Sequence, residues 1–161
     1  MKILILGGYG TFGGRLAELL CDIPDLHLQI CGRDIGKATA FCATLSGHAT
    51  HHAFDRADLA KHIKTLAPDL VVDASGPFQD YGDARYSVIE TCIAAQTDYM
   101  DFADAADFVF GVSAFDQAAK DAGIYVLSGV SSFPVLTAAV LREIAKEFPI
   151  TDVTGGIAPS P

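Results

Sequence analysis

The chain has 161 residues, half of them apolar, and a formal net charge of −9. That length suits one domain with a single sizeable core, and the acidic balance argues against a nucleic-acid partner, which requires clustered Lys and Arg. No apolar run reaches the length of a membrane span, no charged-then-apolar leader precedes the first strand, and the four cysteines (Cys21, Cys31, Cys42, Cys92) are widely spaced without a C-x-x-C, so they read as small core residues of a cytoplasmic protein.

Ile3 to Leu6 is an unbroken apolar run, as expected of a strand buried on both faces. Directly after it, Gly8-Tyr9-Gly10-Thr11-Phe12-Gly13 fits G-x-G-x-x-G, and a second frame, Gly7/Gly10/Gly13, fits as well. Phe12, Leu16, Leu19 and Leu20 then recur on one helical face. Between a strand and a helix the glycines acquire a mechanism. The first permits a tight turn, the second lets backbone approach a pyrophosphate, and the third lets the helix close on the strand. Phosphates then sit over unsatisfied N–H groups at the positive end of the helix dipole. The turn reads as a dinucleotide site.

The second apolar run, Leu26 to Cys31, ends in Gly32-Arg33-Asp34. An acidic residue at this distance from the glycine turn usually meets the adenosine ribose of NAD. Here Gly32 clears space and Arg33 offers a guanidinium suited to a 2′-phosphate, with Lys37 a second positive charge one helical turn beyond. Asp34 is the competing signal for NAD; NADP is preferred. Helix two is expected from about Ile35 to Leu45, stopping at Gly47. A weaker strand spans His48 to Phe54; its His48, His51 and His52 lack the partners of a tetrahedral metal set, so no metal is expected. Asp55 either caps the next helix or accepts from an adenine amino group, with capping favoured.

Helix three (Ala57 to Leu66) leads to a buried strand, Leu70 to Val72, which delivers Ala74-Ser75-Gly76-Pro77 at its carboxyl end, the edge where ligands bind in open α/β sheets. Small residues there leave room for a cofactor ring, and Pro77 fixes the exit of the loop. Helix four (Tyr86, Ile89, Cys92 and Ile93 inward), a short strand Asp98 to Phe102, helix five (Phe115, Ala118, Ala119, Ala122), a strand Ile124 to Leu127 and a last helix opening near Pro134 complete the alternation. The fold expected is α/β, a Rossmann-like doubly wound parallel sheet in three αβα layers. Residues 150–157 look like a further strand. The expected division is therefore a NAD(P)-binding Rossmann domain over 1–149 and, over 150–161, the opening strand of a truncated second domain for substrate and dimerisation; a natural short chain is the alternative.

Three segments together resemble the NADP-binding domain of the saccharopine dehydrogenase/saccharopine reductase-like family: Gly-Gly-Tyr-Gly-Thr-Phe-Gly at 7–13, Gly32-Arg33, and Ser-Gly-Pro-Phe-Gln-Asp-Tyr-Gly at 75–82. The last is the most specific, since the family carries G-P-F-x-x-Y-G before a helix. Tyr99-Met100-Asp101 resembles its Y-x-D element, and Ser128 to Pro134 its later G-x-x-S-x-P turn. One departure stands out: Ala103-Asp104 replaces the family's Gly-Glu, keeping the charge and losing the glycine, so that loop is given no substrate role.

The resemblance implies a two-part oxidoreductase, this domain followed by a mixed α/β domain that supplies much of the pocket for a small-molecule substrate and a homodimer contact. By residue matching, Gly8, Gly10, Thr11, Phe12 and Gly13 would meet the pyrophosphate and Arg33 the 2′-phosphate, with Ser75, Gly76 and Pro77 near the nicotinamide end. No catalytic acid or base is identified. Two other classes of protein share parts of this pattern. A short-chain reductase or epimerase needs Tyr-x-x-x-Lys, which none of the five tyrosines provides. A non-catalytic NADP-sensing module is compatible with the lack of a nucleophile–base constellation, but a truncated enzyme explains that lack equally.

Overall fold

The computed structural model describes residues 1–78, 82–131 and 135–154. Strand β1 (Lys2–Leu6) is followed by α1 (Thr11–Leu20), β2 (His27–Gly32), α2 (Ile35–Cys42), β3 (Ala49–Ala53), α3 (Leu59–Leu66) and β4 (Leu70–Asp73). Beyond these come α4 (Ser87–Ala95), β5 (Asp98–Asp101), α5 (Ala106–Gly111), α6 (Asp116–Ala122), β6 (Val126–Leu127) and α7 (Thr137–Ile144). The strands form one six-stranded sheet in the order β3-β2-β1-β4-β5-β6, and every pairing is parallel. This is the Rossmann-like α/β arrangement expected from the alternation, with the order in which strands are added reversing between β1 and β4.

The unbroken apolar runs are split by the two-residue period of a strand. In β1, Leu4 and Leu6 enter the core on one face with Val71, Ile89 and Tyr99, beneath α3 and α4. Ile3 and Ile5 enter the other with Leu28, Ile30 and Val72, beneath α1. Each such side chain contributes about 1.5–3 kcal/mol through burial. A sheet covered on both faces requires this, and it places all ligand-accessible backbone at the strand ends.

Helix α1 packs differently from its apolar pattern. Phe12 and Leu19, expected on the inward face, are 71% and 61% exposed. The helix instead meets the sheet through Gly13, Gly14 and Ala17, because small residues allow a closer approach than a leucine stripe would. Helix α2 ends at Cys42, short of the expected Leu45. The Thr44 hydroxyl donates to the Phe41 carbonyl at 2.7 Å, a local bond that competes with helix continuation. Gly47 follows because a Cβ there would lie 1.6 Å from the Cys21 carbonyl oxygen.

Helix α5 was not anticipated; buried Phe108 anchors it against Phe78 and Tyr86. Strand β6 is shorter than the expected run from Ile124. Of the strand expected over 150–157, residues 150–154 adopt no regular structure and are exposed, and the rest falls outside the described residues. No described strand lies alongside them, and an unpaired strand is not stable on its own. Pro134, expected to open the last helix, also falls outside the described residues, as do Gln79, Asp80 and Tyr81 of the G-P-F-x-x-Y-G segment.

Candidate functional site: the cleft at the carboxyl ends of the strands

Gly7 adopts the left-handed region (φ +71°), where a Cβ would be strained and would lie 2.7 Å from the Ala74 carbonyl oxygen. The Gly10 amide donates to the Gly7 carbonyl at 2.8 Å, closing the turn. A Cβ on Gly13 would approach that same carbonyl oxygen to 2.4 Å. The tight turn is therefore built on Gly7, Gly10 and Gly13. Gly8 does a separate job: its amide donates to the Cys31 carbonyl at 2.9 Å, tying the end of β1 to β2.

Gly10 caps α1 without a side chain, and the first amide of the helix region to find an acceptor is that of Gly14, bonded to the Gly10 carbonyl at 2.8 Å. The amides of Thr11, Phe12 and Gly13 have no acceptor among the described residues. Together with the helix dipole they form a ready anion site. Gly10, Thr11 and Phe12 line a cleft of about 890 Å³ that runs across the ends of β1, β2 and β4. The donor set fits a nucleotide pyrophosphate.

Of the residues singled out from sequence, Gly10, Thr11, Phe12, Gly32, Arg33, Asp55, Ser75, Gly76 and Pro77 line this cleft. Gly8, Gly13 and Lys37 do not. Gly32 has a reason beyond clearing space for a phosphate: a Cβ there would come within 2.3 Å of the Tyr9 ring, whose hydroxyl accepts from the Asp34 amide at 2.9 Å. Asp34 is the N-cap of α2, its carboxylate accepting from the Lys37 amide at 3.0 Å. Asp55 likewise caps the turn before α3, accepting from the Ala57 amide at 3.0 Å. Arg33 lines the cleft, exposed and without an ion pair among the described residues.

The other wall holds a network that sequence reasoning missed. Asp73, the last residue of β4, is fully buried. Its Oδ1 accepts from the Ser75 amide at 3.1 Å and from the Ser75 hydroxyl. Its Oδ2 accepts from Arg56 Nε at 3.2 Å and Nη2 at 2.9 Å. Arg56 also donates to the Arg85 carbonyl at 3.4 Å and lines the cleft itself. An aspartate ending an apolar strand was the available sign; its cation, 17 residues earlier, was not.

Asp101, the register partner of Asp73 on β5, repeats the device. Its Oδ1 accepts from the amides of Ala103 (2.9 Å) and Gly129 (2.8 Å) and from the Ser128 hydroxyl (3.0 Å), while Tyr99 donates to Oδ2 at 3.0 Å. Burial raises the Asp101 carboxyl above its ordinary range, against the pull of those donors. Burial, and then the charges of Asp73 and Asp101, raise the Tyr99 phenol well above 10. Cys31 also lines the cleft, but burial pushes its thiol up to about 12, so it is a neutral core group and no nucleophile. Among the described residues no three His, Cys, Asp or Glu side chains converge as a metal site.

The strand order, the glycine turn at the end of β1 and the cleft above it define a Rossmann domain of the pyridine-nucleotide-binding class. The sequence matches the saccharopine dehydrogenase NADP binding domain over residues 3–127, and the chain belongs to that family. The fold is similar to apo saccharopine dehydrogenase (L-Glu forming) from Saccharomyces cerevisiae, with a TM-score of 0.67 at 19% identity over 90% of this chain and 31% of that one. A NAD binding oxidoreductase from Klebsiella pneumoniae gives 0.55 at 19% identity, over 91% and 38%. Biliverdin reductase from Synechocystis, in complex with biliverdin and NADP+, gives 0.57 at 15%, over 90% and 43%. The chain thus spans about a third of the length of the first of these. No curated protein sequence matches it significantly.

Proposed function

We propose that the chain is the NADP(H)-binding part of a saccharopine dehydrogenase-like oxidoreductase that transfers hydride to or from a small-molecule substrate. The observation that carries NADP over NAD is the contrast at the end of β2: Arg33 is unpaired among the described residues and lines the cleft, while the competing Asp34 caps α2 through Oδ1 and does not line it. The amides at the start of α1 hold the pyrophosphate, and Arg33 meets the 2′-phosphate as a guanidinium fork. The segment from Ala74 to Pro77 lies against the nicotinamide, which would give or take the hydride. Lys37, outside the cleft wall, contributes to the local field alone.

Neither Cys31 nor Tyr99 is available as a nucleophile or acid in the cleft. This supports a chain that binds the cofactor while a second α/β region carries substrate groups and the dimer contact. The exposed stripe of Leu136, Val140, Ile144 and Phe148 along and beyond α7 suits such a neighbour. No described helix is long and apolar enough to cross a membrane.

Calorimetric titration tests the cofactor. NADPH should bind more tightly than NADH, and Arg33→Ala should cut NADPH affinity roughly ten- to a hundredfold, the worth of about 1.5–3 kcal/mol for a charged hydrogen bond. NADH affinity should be unchanged. Equal affinities in the unaltered protein would remove NADP selectivity.

A further inference from the structure

We propose that Arg56 is a positioning residue of the cleft: by pairing with buried Asp73 it holds the Ser75 segment in the form that receives the nicotinamide half of the dinucleotide. The inference rests on the nucleotide reading above. The geometry is a relay of three residues. The Arg56 side chain is 10% exposed and the Asp73 side chain fully buried, and two guanidinium nitrogens meet one carboxylate oxygen at 2.9 and 3.2 Å. The other carboxylate oxygen takes both the amide and the hydroxyl of Ser75. The guanidinium thus determines which way the carboxylate faces, and the carboxylate determines the path of the loop.

Arg56 is suited to this by where it starts. It leaves the turn after β3, crosses beneath the end of β4 and reaches the Arg85 carbonyl ahead of α4, so one side chain joins three segments that border the cleft. A lysine would keep the charge but not the planar fork. The adenosine side of the cleft has its own supports, the Tyr9 hydroxyl on the Asp34 amide and the Asp34 cap on α2. It should therefore not sense the change.

The test separates the two ends of the ligand. Arg56→Gln should weaken NADPH by about tenfold, the order of one charged hydrogen bond, and leave 2′-phosphorylated ADP-ribose, which lacks the nicotinamide, unchanged. Ser75→Ala, which leaves the buried pair intact, should give the same one-sided loss at smaller size. It serves as the decisive variant if Arg56→Gln does not fold. In the ligand-free protein, Arg56→Gln should speed hydrogen exchange at the Ser75 amide and not at the Gly129 amide, which Asp101 holds; Arg56→Lys should restore only part of the protection. Equal weakening of both ligands, or unchanged Ser75 exchange, would overturn the proposal. If the unaltered protein bound neither ligand, the nucleotide reading would fall and exchange alone would decide whether Arg56 holds the loop.

Discussion

The two halves of the sheet prepare the same cleft by different means. On the β1–β2–β3 side the work is done by backbone: a left-handed Gly7, a Gly13 that admits no Cβ, and three amides at the start of α1 without acceptors among the described residues. On the β4–β5–β6 side it is done by buried carboxylates, Asp73 and Asp101, each accepting the amide two residues further on and a serine hydroxyl. The first half offers donors suited to an anion that every nucleotide carries, and for that main-chain dipoles suffice. The second must shape a loop, and a loop needs side-chain anchors. Backbone recognition tolerates sequence drift outside its glycines, whereas anchors fail one residue at a time.

The largest effect should come from the anchors. Arg56→Met leaves Asp73 buried without its cation, and loss of one partner of a buried pair costs about 3–5 kcal/mol, to be read from urea denaturation. A cost below about 1 kcal/mol, the range of exposed pairs, would show the pair to be better hydrated than its burial indicates. On the backbone side, Gly13→Ala should cost about 1–3 kcal/mol by overpacking against the Gly7 carbonyl and should abolish nucleotide binding in calorimetry. The same substitution at Gly10, where a Cβ meets only the Gly7 carbonyl oxygen at 3.1 Å, should be milder in stability. If the two cost the same, the turn is not built as described.

Asp34→Ala should cost about 1 kcal/mol, the usual loss of an N-cap, without raising NADH affinity; a gain in NADH binding would mean that its carboxylate acts on the ribose site.

Acid should separate the halves by sign, with the smallest effects. Burial, and then His51, His62 and His27, lower the His52 imidazole below 6.5. Its contribution is therefore present above 6.5 and lost as pH falls through the depressed value. Asp101 is raised above 3.8 by burial, so its contribution is full below 3.8 and lost as pH rises through the raised value. Hydrogen-exchange protection across this range should show β3 loosening on acidification while β5, which buries Asp101, gains protection. His52→Gln should flatten the first trend and Asp101→Asn the second; parallel trends in both halves would contradict the assignment.

Much of this was legible in the chain. Apolar runs at Ile3–Leu6 and Leu70–Val72, helical spacing between them and glycines at fixed offsets are local signals, and each refers to residues within one turn or strand. Asp55 illustrates the intermediate case: capping was readable from its position and is seen in its bond to the Ala57 amide, whereas the cap that Asp34 makes on the Lys37 amide emerged only from the fold. Phe12 shows the limit of periodicity, since it falls on the apolar face by count and stands 71% exposed at the mouth of the cleft.

By itself the sequence determined the parallel sheet, the alternation of strands and helices as far as β5 and the glycine turn, because hydrophobic period and left-handed backbone are properties of neighbouring residues. Tertiary structure alone decided that Gly32 makes room for the Tyr9 ring, that Arg56 answers Asp73, and that Asp73 lies beside Asp101. Those pairings join residues 17 to 28 positions apart. The Arg56–Asp73 pair among them acquires its strength only when folding brings opposite charges together and burial removes the water that would otherwise satisfy each of them separately.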